Sequence, residues 1–126
     1  MTSKYRSENR TKMAYTHLLD TNTVSDLIRK PNGCVKEKIA EIGEASICIS
    51  LIVASEIRFG CAKKASKPLT ERADVILGAL SILSLEEPVD VHYADIRNML
   101  EAQGQPIDPN DLLIAAHART LGLTLV

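Results

Sequence analysis

Four carboxylates stand where a folded chain could use them together. Asp20 closes an apolar run, Glu56 lies within another, and Asp108 and Asp111 open a third. Glu56 carries the most information. If residues 51–64 form a helix, Ile52, Val53, Phe59 and Gly60 all fall within about 60° of it around the axis. The carboxylate then sits amid an apolar stripe, where a charge must find a cation, a hydrogen-bonded partner or a proton. Arg58 lies about 200° away on the same helix and Lys63 about two turns on, so neither is placed to neutralise it. Asp20 is followed by Thr21 and Asn22, and either Asp20 or Asn22 can cap the helix that follows. Giving the cap to Asn22 leaves Asp20 free. Asp108, Pro109 and Asp111 match the N-cap, first and third positions of a helix start. One capping carboxylate suffices there, so Asp111 is in excess of what capping needs.

Gathered at one place, Asp20, Glu56 and Asp111 would repel one another and raise one another's pKa. Mg²⁺ or Mn²⁺ removes that conflict, being hard cations that take oxygen ligands and keep several waters. A metal so held can bind a phosphodiester, lower the pKa of a bound water and stabilise a leaving oxygen. The chemistry this points to is phosphodiester hydrolysis.

The elements that must bring these residues together alternate along the chain. Strands are expected at about 15–19, 46–50, 82–85 and 123–126. Helices are expected at about 23–29 (stopped by Pro31), 34–42, 51–64, 68–81, 89–102 and 109–121. Strands separated by helices imply parallel pairing in an α/β/α layering. In such folds the ligand site lies beyond the carboxyl ends of the strands, which is where Asp20 falls. Residues 1–12 are polar and without periodicity, so they are read as an extension or an upstream start before Met13, and the domain as 13–126.

Composition narrows the classes. With 126 residues, 45% hydrophobic and 25% charged, the chain fits one globular domain. No apolar run reaches the ~18 residues of a membrane span, and no signal-peptide core follows Met1, so a cytoplasmic protein with no membrane partner is expected. Cys34, Cys48 and Cys61 are odd in number and contain no C-x-x-C pair, which argues against a disulfide framework or a structural zinc. His17, His92 and His117 are scattered, and none marks a site. Net charge is −1, but residues 1–12 carry +3 and the remainder −4. The local exception is 58–72, where Arg58, Lys63, Lys64, Lys67 and Arg72 face only Glu71. A nucleic-acid binder of this composition would rely on a patch and a metal rather than on overall positive charge.

Three segments carry a resemblance: Leu18-Leu19-Asp20-Thr21-Asn22, Ser50 to Gly60 with Glu56 inside it, and Gly104 to Ala118 with Asp108-Pro109-Asn110-Asp111-Leu112-Leu113-Ile114-Ala115-Ala116-His117 inside it. In order and spacing they resemble the PIN-domain toxins of VapBC toxin–antitoxin systems, over about Met13 to Val126. The resemblance implies a PIN-like three-layer α/β/α fold with a central parallel sheet. It implies a Mg²⁺-dependent endoribonuclease acting on structured RNA such as transfer RNA, a homodimer, and a cognate antitoxin whose C-terminal segment fills the active-site groove. By position Asp20, Glu56 and Asp111 match the family's acidic residues, and Asn22 the polar neighbour of the first. The basic residues Arg58, Lys63, Lys64 and Lys67 become candidate RNA or antitoxin contacts, or a solvated helix face.

Two departures from the family pattern carry expectations of their own. Asp108 stands where related toxins commonly have Gly, adding a carboxylate beside the site. Family members also usually continue past Leu125-Val126 with a polar turn, a helix and a further strand, so the sheet is expected to lack its last strand and to leave the fourth with an open rim. A second functional reading follows: a catalytically weak domain that mainly binds its antitoxin. A phosphoacceptor receiver domain has the right size, but it would need paired acids after the first strand, and Asp20 stands alone.

Overall fold

Leu18-Leu19 and Ile47-Cys48-Ile49 are apolar runs without alternation, the pattern of strands covered on both faces. In the computed structural model, which describes residues 14–126, they form β1 (His17–Leu19) and β2 (Ile47–Ser50) at the middle of a four-stranded sheet. β3 (Ser81–Leu83) lies beside β2 and β4 (Thr124–Leu125) beside β1, in the order β3-β2-β1-β4. All pairings are parallel, with His17 opposite both Ile47 and Thr124, and Cys48 opposite Ser81. The extension expected over residues 1–12 lies outside the described residues.

Parallel strands need crossovers, and helices supply them. These are α1 (Thr21–Arg29), α2 (Cys34–Ile42), α3 (Leu51–Lys64), α4 (Lys67–Ala79), α5 (Val89–Ala102) and α6 (Pro109–Leu121). The α/β architecture with a central parallel sheet is therefore the one expected. Four helices, α2, α3, α5 and α6, have the bounds that the sequence pattern gives. The strands are shorter than expected at 15–19, 46–50, 82–85 and 123–126, because pairing and not apolar character sets their ends. β4, for example, pairs with β1 only through His17–Thr124 and Leu18–Leu125. On its other side β4 meets no strand among the described residues, and Leu125 is 41% exposed.

The core gathers where the strands meet α1, α3, α4 and α6. Leu18, Cys48, Ile49, Val24 and Val53 are fully buried, with Ile57, Leu77 and Ile114 packed around them. Each buried aliphatic side chain of this size is worth roughly 1.5–3 kcal/mol. Burial pushes the Cys48 thiol up to about 11, so it serves as a small hydrophobe. Among the described residues no helix is long and apolar enough to cross a membrane.

One expectation about α3 is corrected. Its buried residues are Val53, Ala54, Ile57 and Cys61, while Phe59 is 67% exposed. The apolar stripe is thus rotated away from Phe59, and Glu56 lies at its margin, half-buried, rather than at its centre. Counting Phe59 as a core residue by type misplaced the stripe, because burial is decided by what packs opposite.

Candidate active site

Asp20 is the first residue beyond β1, and its backbone is pinned. Its N–H donates to the Val126 carbonyl at 2.9 Å, and its own carbonyl accepts from Val24 N–H at 3.1 Å. The side chain is the N-cap of α1: Oδ1 accepts from Thr23 N–H at 2.9 Å. This corrects the assignment of the cap to Asn22 and moves the helix start from the expected residue 23 to Thr21. Asp20 already has extended backbone angles, φ −82° and ψ 174°, as an N-cap requires. Asn22 is left exposed inside the first turn, with no side-chain hydrogen bond among the described residues.

Glu56 projects from α3, whose start is fixed by Ser50 accepting from Ile52 N–H at 3.1 Å. Both carboxylate oxygens are held. Oε1 accepts from the Thr21 hydroxyl, and Oε2 accepts from Asn110 Nδ2 at 3.2 Å. The prediction that neither Arg58 nor Lys63 would neutralise Glu56 holds, since its partners are neutral. Neither Thr21 nor Asn110 was singled out from sequence, although each adjoins one of the acids at a helix start.

Asp108 and Asp111 fall as expected on the first turn of α6. Asp108 is the N-cap, accepting from Asn110 N–H at 3.4 Å, with Pro109 following. Asp111 is at the third position, and its carboxyl is held above the ordinary carboxylate range. Partial removal from water is the main cause, and the charges of Asp108, Glu56 and Asp20 add to it. Acids from three chain segments therefore act on one another at the carboxyl end of β1. None of the four is ion-paired among the described residues. Among those residues, too, no three acidic, histidine or cysteine side chains close around one point. The chemistry of the four acids, all hard oxygen, fits Mg²⁺ or Mn²⁺ and does not fit a soft metal.

A groove of ≈ 130 Å³ opens beside Glu56 and Thr21 between α1, α3 and α4. Ile57 and Cys61 lie along it, Lys64 gives it a basic side, and Arg29, which also lines it, pairs with Asp26 at 3.7 Å. Of the basic candidates, Lys64 reaches the groove. Lys63 and Lys67 are exposed without lining it. Arg58 is ion-paired with Asp74 across α3 and α4, so its charge is already engaged. None of the three histidines lines this groove. His117 is buried in α6 beside Leu83 and Val89, and Thr16 hydrogen-bonds His17 at 2.7 Å.

Residues 17–126 match the family model of the PIN domain. The chain is 31% identical over 111 residues to the tRNA(fMet)-specific endonuclease VapC of Shigella flexneri, covering 86% of this chain and 83% of that one. It is 35% identical over 113 residues to ribonuclease VapC2 of Haemophilus influenzae, covering 87% and 83%. Its fold superimposes on the VapBC2 complex of Rickettsia felis, solved with a DNA fragment of its promoter, with a TM-score of 0.79 at 31% identity, covering 87% of this chain and 85% of that one. Fold and sequence thus agree over nearly all the described residues: the chain belongs to the PIN-domain family, among the VapC ribonucleases.

Proposed function

We propose that this chain is the toxin of a toxin–antitoxin pair, an endoribonuclease that cuts structured RNA such as transfer RNA with the help of Mg²⁺ or Mn²⁺. The observation that carries the reading is that Asp111 lies near enough to Asp108, Glu56 and Asp20 for their charges to add to the loss of hydration that raises its carboxyl, in a chain that matches the PIN family. Asp20, Glu56 and Asp111 would hold the metal, with Asp108 adding negative charge beside it. When bound, the cation supplies a water of lowered pKa and stabilises the leaving oxygen. The chain's own residues do the rest. Asp20 presents its carboxylate from a capped helix start, Glu56 is kept oriented by neutral donors, and Lys64 offers positive charge to RNA phosphates along the groove. Asn22, exposed and unengaged, is a candidate contact only to a bound partner.

A cognate antitoxin is part of the proposal, since several solved structures similar to this fold are toxin–antitoxin complexes, and the groove is the place we propose for its docking. The proposal includes a homodimer and action in the cytoplasm. The decisive test is cleavage of a transfer RNA panel by the purified chain with Mg²⁺. Cleavage abolished by EDTA and by Asp20→Ala plus Asp111→Ala supports the assignment. Full activity in that double variant overturns it. Tight antitoxin binding without any cleavage would favour the binding-only alternative.

A further inference from the structure

The two neutral side chains on Glu56 have a common logic. Thr21 directly follows Asp20, and Asn110 directly precedes Asp111. The backbone segments that carry two of the acids thus each send a neighbour to grip the third, across 35 and 54 positions of sequence. We infer that Thr21 and Asn110 are positioning residues that set the orientation of Glu56 for a divalent cation. This rests on the metal-site reading above and adds which side chains determine the site's affinity and ion preference.

Three points support it. A carboxylate oxygen has two acceptor positions, so one bond to Thr21 and one to Asn110 leave each oxygen a free position for a cation. The donors are neutral, so they orient the carboxylate without cancelling the charge that attracts the metal, as a lysine would. Finally, the two donors reach Glu56 from two different helix starts, one on each carboxylate oxygen, so together they fix the rotation of the group. Partners of ligating carboxylates commonly change metal affinity by about 10–100-fold when removed. Mg²⁺ and Mn²⁺ demand near-octahedral ligand placement, whereas Ca²⁺ accepts varied geometry. Loosening Glu56 should therefore weaken Mn²⁺ more than Ca²⁺.

The experiment is calorimetric titration of Mn²⁺ and of Ca²⁺ into the purified parent chain and into Thr21→Val, Thr21→Ser, Asn110→Ala and Asp111→Ala, with thermal melts of each. Thr21→Val and Asn110→Ala are expected to lose Mn²⁺ affinity by about 10-fold or more and to lower the Mn²⁺/Ca²⁺ preference. Thr21→Ser, which keeps the hydroxyl, should restore both. Parental Mn²⁺ affinity in Thr21→Val and Asn110→Ala, with binding still lost in Asp111→Ala, overturns this inference and leaves the metal site standing. An equal loss for both ions overturns it too, since that is what a purely structural role predicts. No Mn²⁺ binding by the parent, or unchanged binding in Asp111→Ala, overturns the metal-site reading and this inference with it.

Discussion

Asp20 does two jobs that substitution can separate. Its carboxylate caps α1 through Thr23 N–H at 2.9 Å, and in the function proposed above it is also a metal ligand. Asp20→Ala removes both. Loss of an N-cap costs about 1 kcal/mol, within a range of roughly 0.5–2. For a domain of this size that corresponds to a fall in Tm of about 4 °C. Asp20→Asn keeps the cap, because asparagine caps about as well as aspartate. It also removes one of the charges that act on Asp111, so its Tm should equal or exceed the parent's. The backbone bonds from Asp20 to Val126 and Val24 survive in both variants. Melts followed by circular dichroism, run beside the RNA cleavage assay, should show Asp20→Ala destabilised and inactive, and Asp20→Asn stable and inactive. If Asp20→Asn melts as low as Asp20→Ala, the cap assigned to Oδ1 is wrong. If it cleaves RNA at the parental rate, Asp20 is not a metal ligand.

The Asp111 carboxyl sits above its ordinary value, so the folded chain holds that proton more tightly than the unfolded chain does. Its contribution to stability therefore falls as pH rises from the ordinary value of 3.8 through the raised one, and comparing melts across that window should show this slope missing in Asp111→Asn. Ile49 is fully buried in β2, and Ile49→Ala should cost about 2–5 kcal/mol, read as a shifted urea midpoint. The Arg58–Asp74 pair is more than half exposed on both sides, so Arg58→Ala should change stability by less than about 1 kcal/mol and leave cleavage intact. Lys64→Ala, by contrast, should raise KM for RNA with little change in kcat, because Lys64 lines the groove beside Glu56.

Local grammar made much of this fold legible. The Asp108-Pro109 start of α6 is read from sequence and is its cap, whereas the cap Ser50 of α3 and Gly122, which ends α6 at φ 68°, follow the same rules but emerge from the structure. The start of α1 was misread because Asp20 and Asn22 are both competent caps and only backbone geometry chooses between them. Of the acids, Asp111 stands out because it exceeds what capping α6 needs, whereas Asp20 is itself the cap of α1 and the stripe that singles out Glu56 lies elsewhere on α3. The partners of Glu56 could not be picked out, since Thr21 and Asn110 find it through contacts 35 and 54 residues apart, which no local periodicity encodes. Phe59 shows the same limit from the other side: its type says core, but among the described residues it stays 67% exposed.

The pairing of β4 with β1 has a bearing on how such a chain is made in a cell. Of the four described strands β1 is made first and β4 last, yet they are neighbours in the sheet. The Val126 carbonyl accepts from both the Asp20 N–H and the Thr23 hydroxyl. A nascent chain stalled before residue 109 carries Asp20 and Glu56 but neither Asn110 nor Asp111. Domains complete their long-range contacts only when the whole unit has emerged. In such a stalled copy the group of acids proposed to hold the cation is incomplete, so any chemistry of that site must await the emergence of α6.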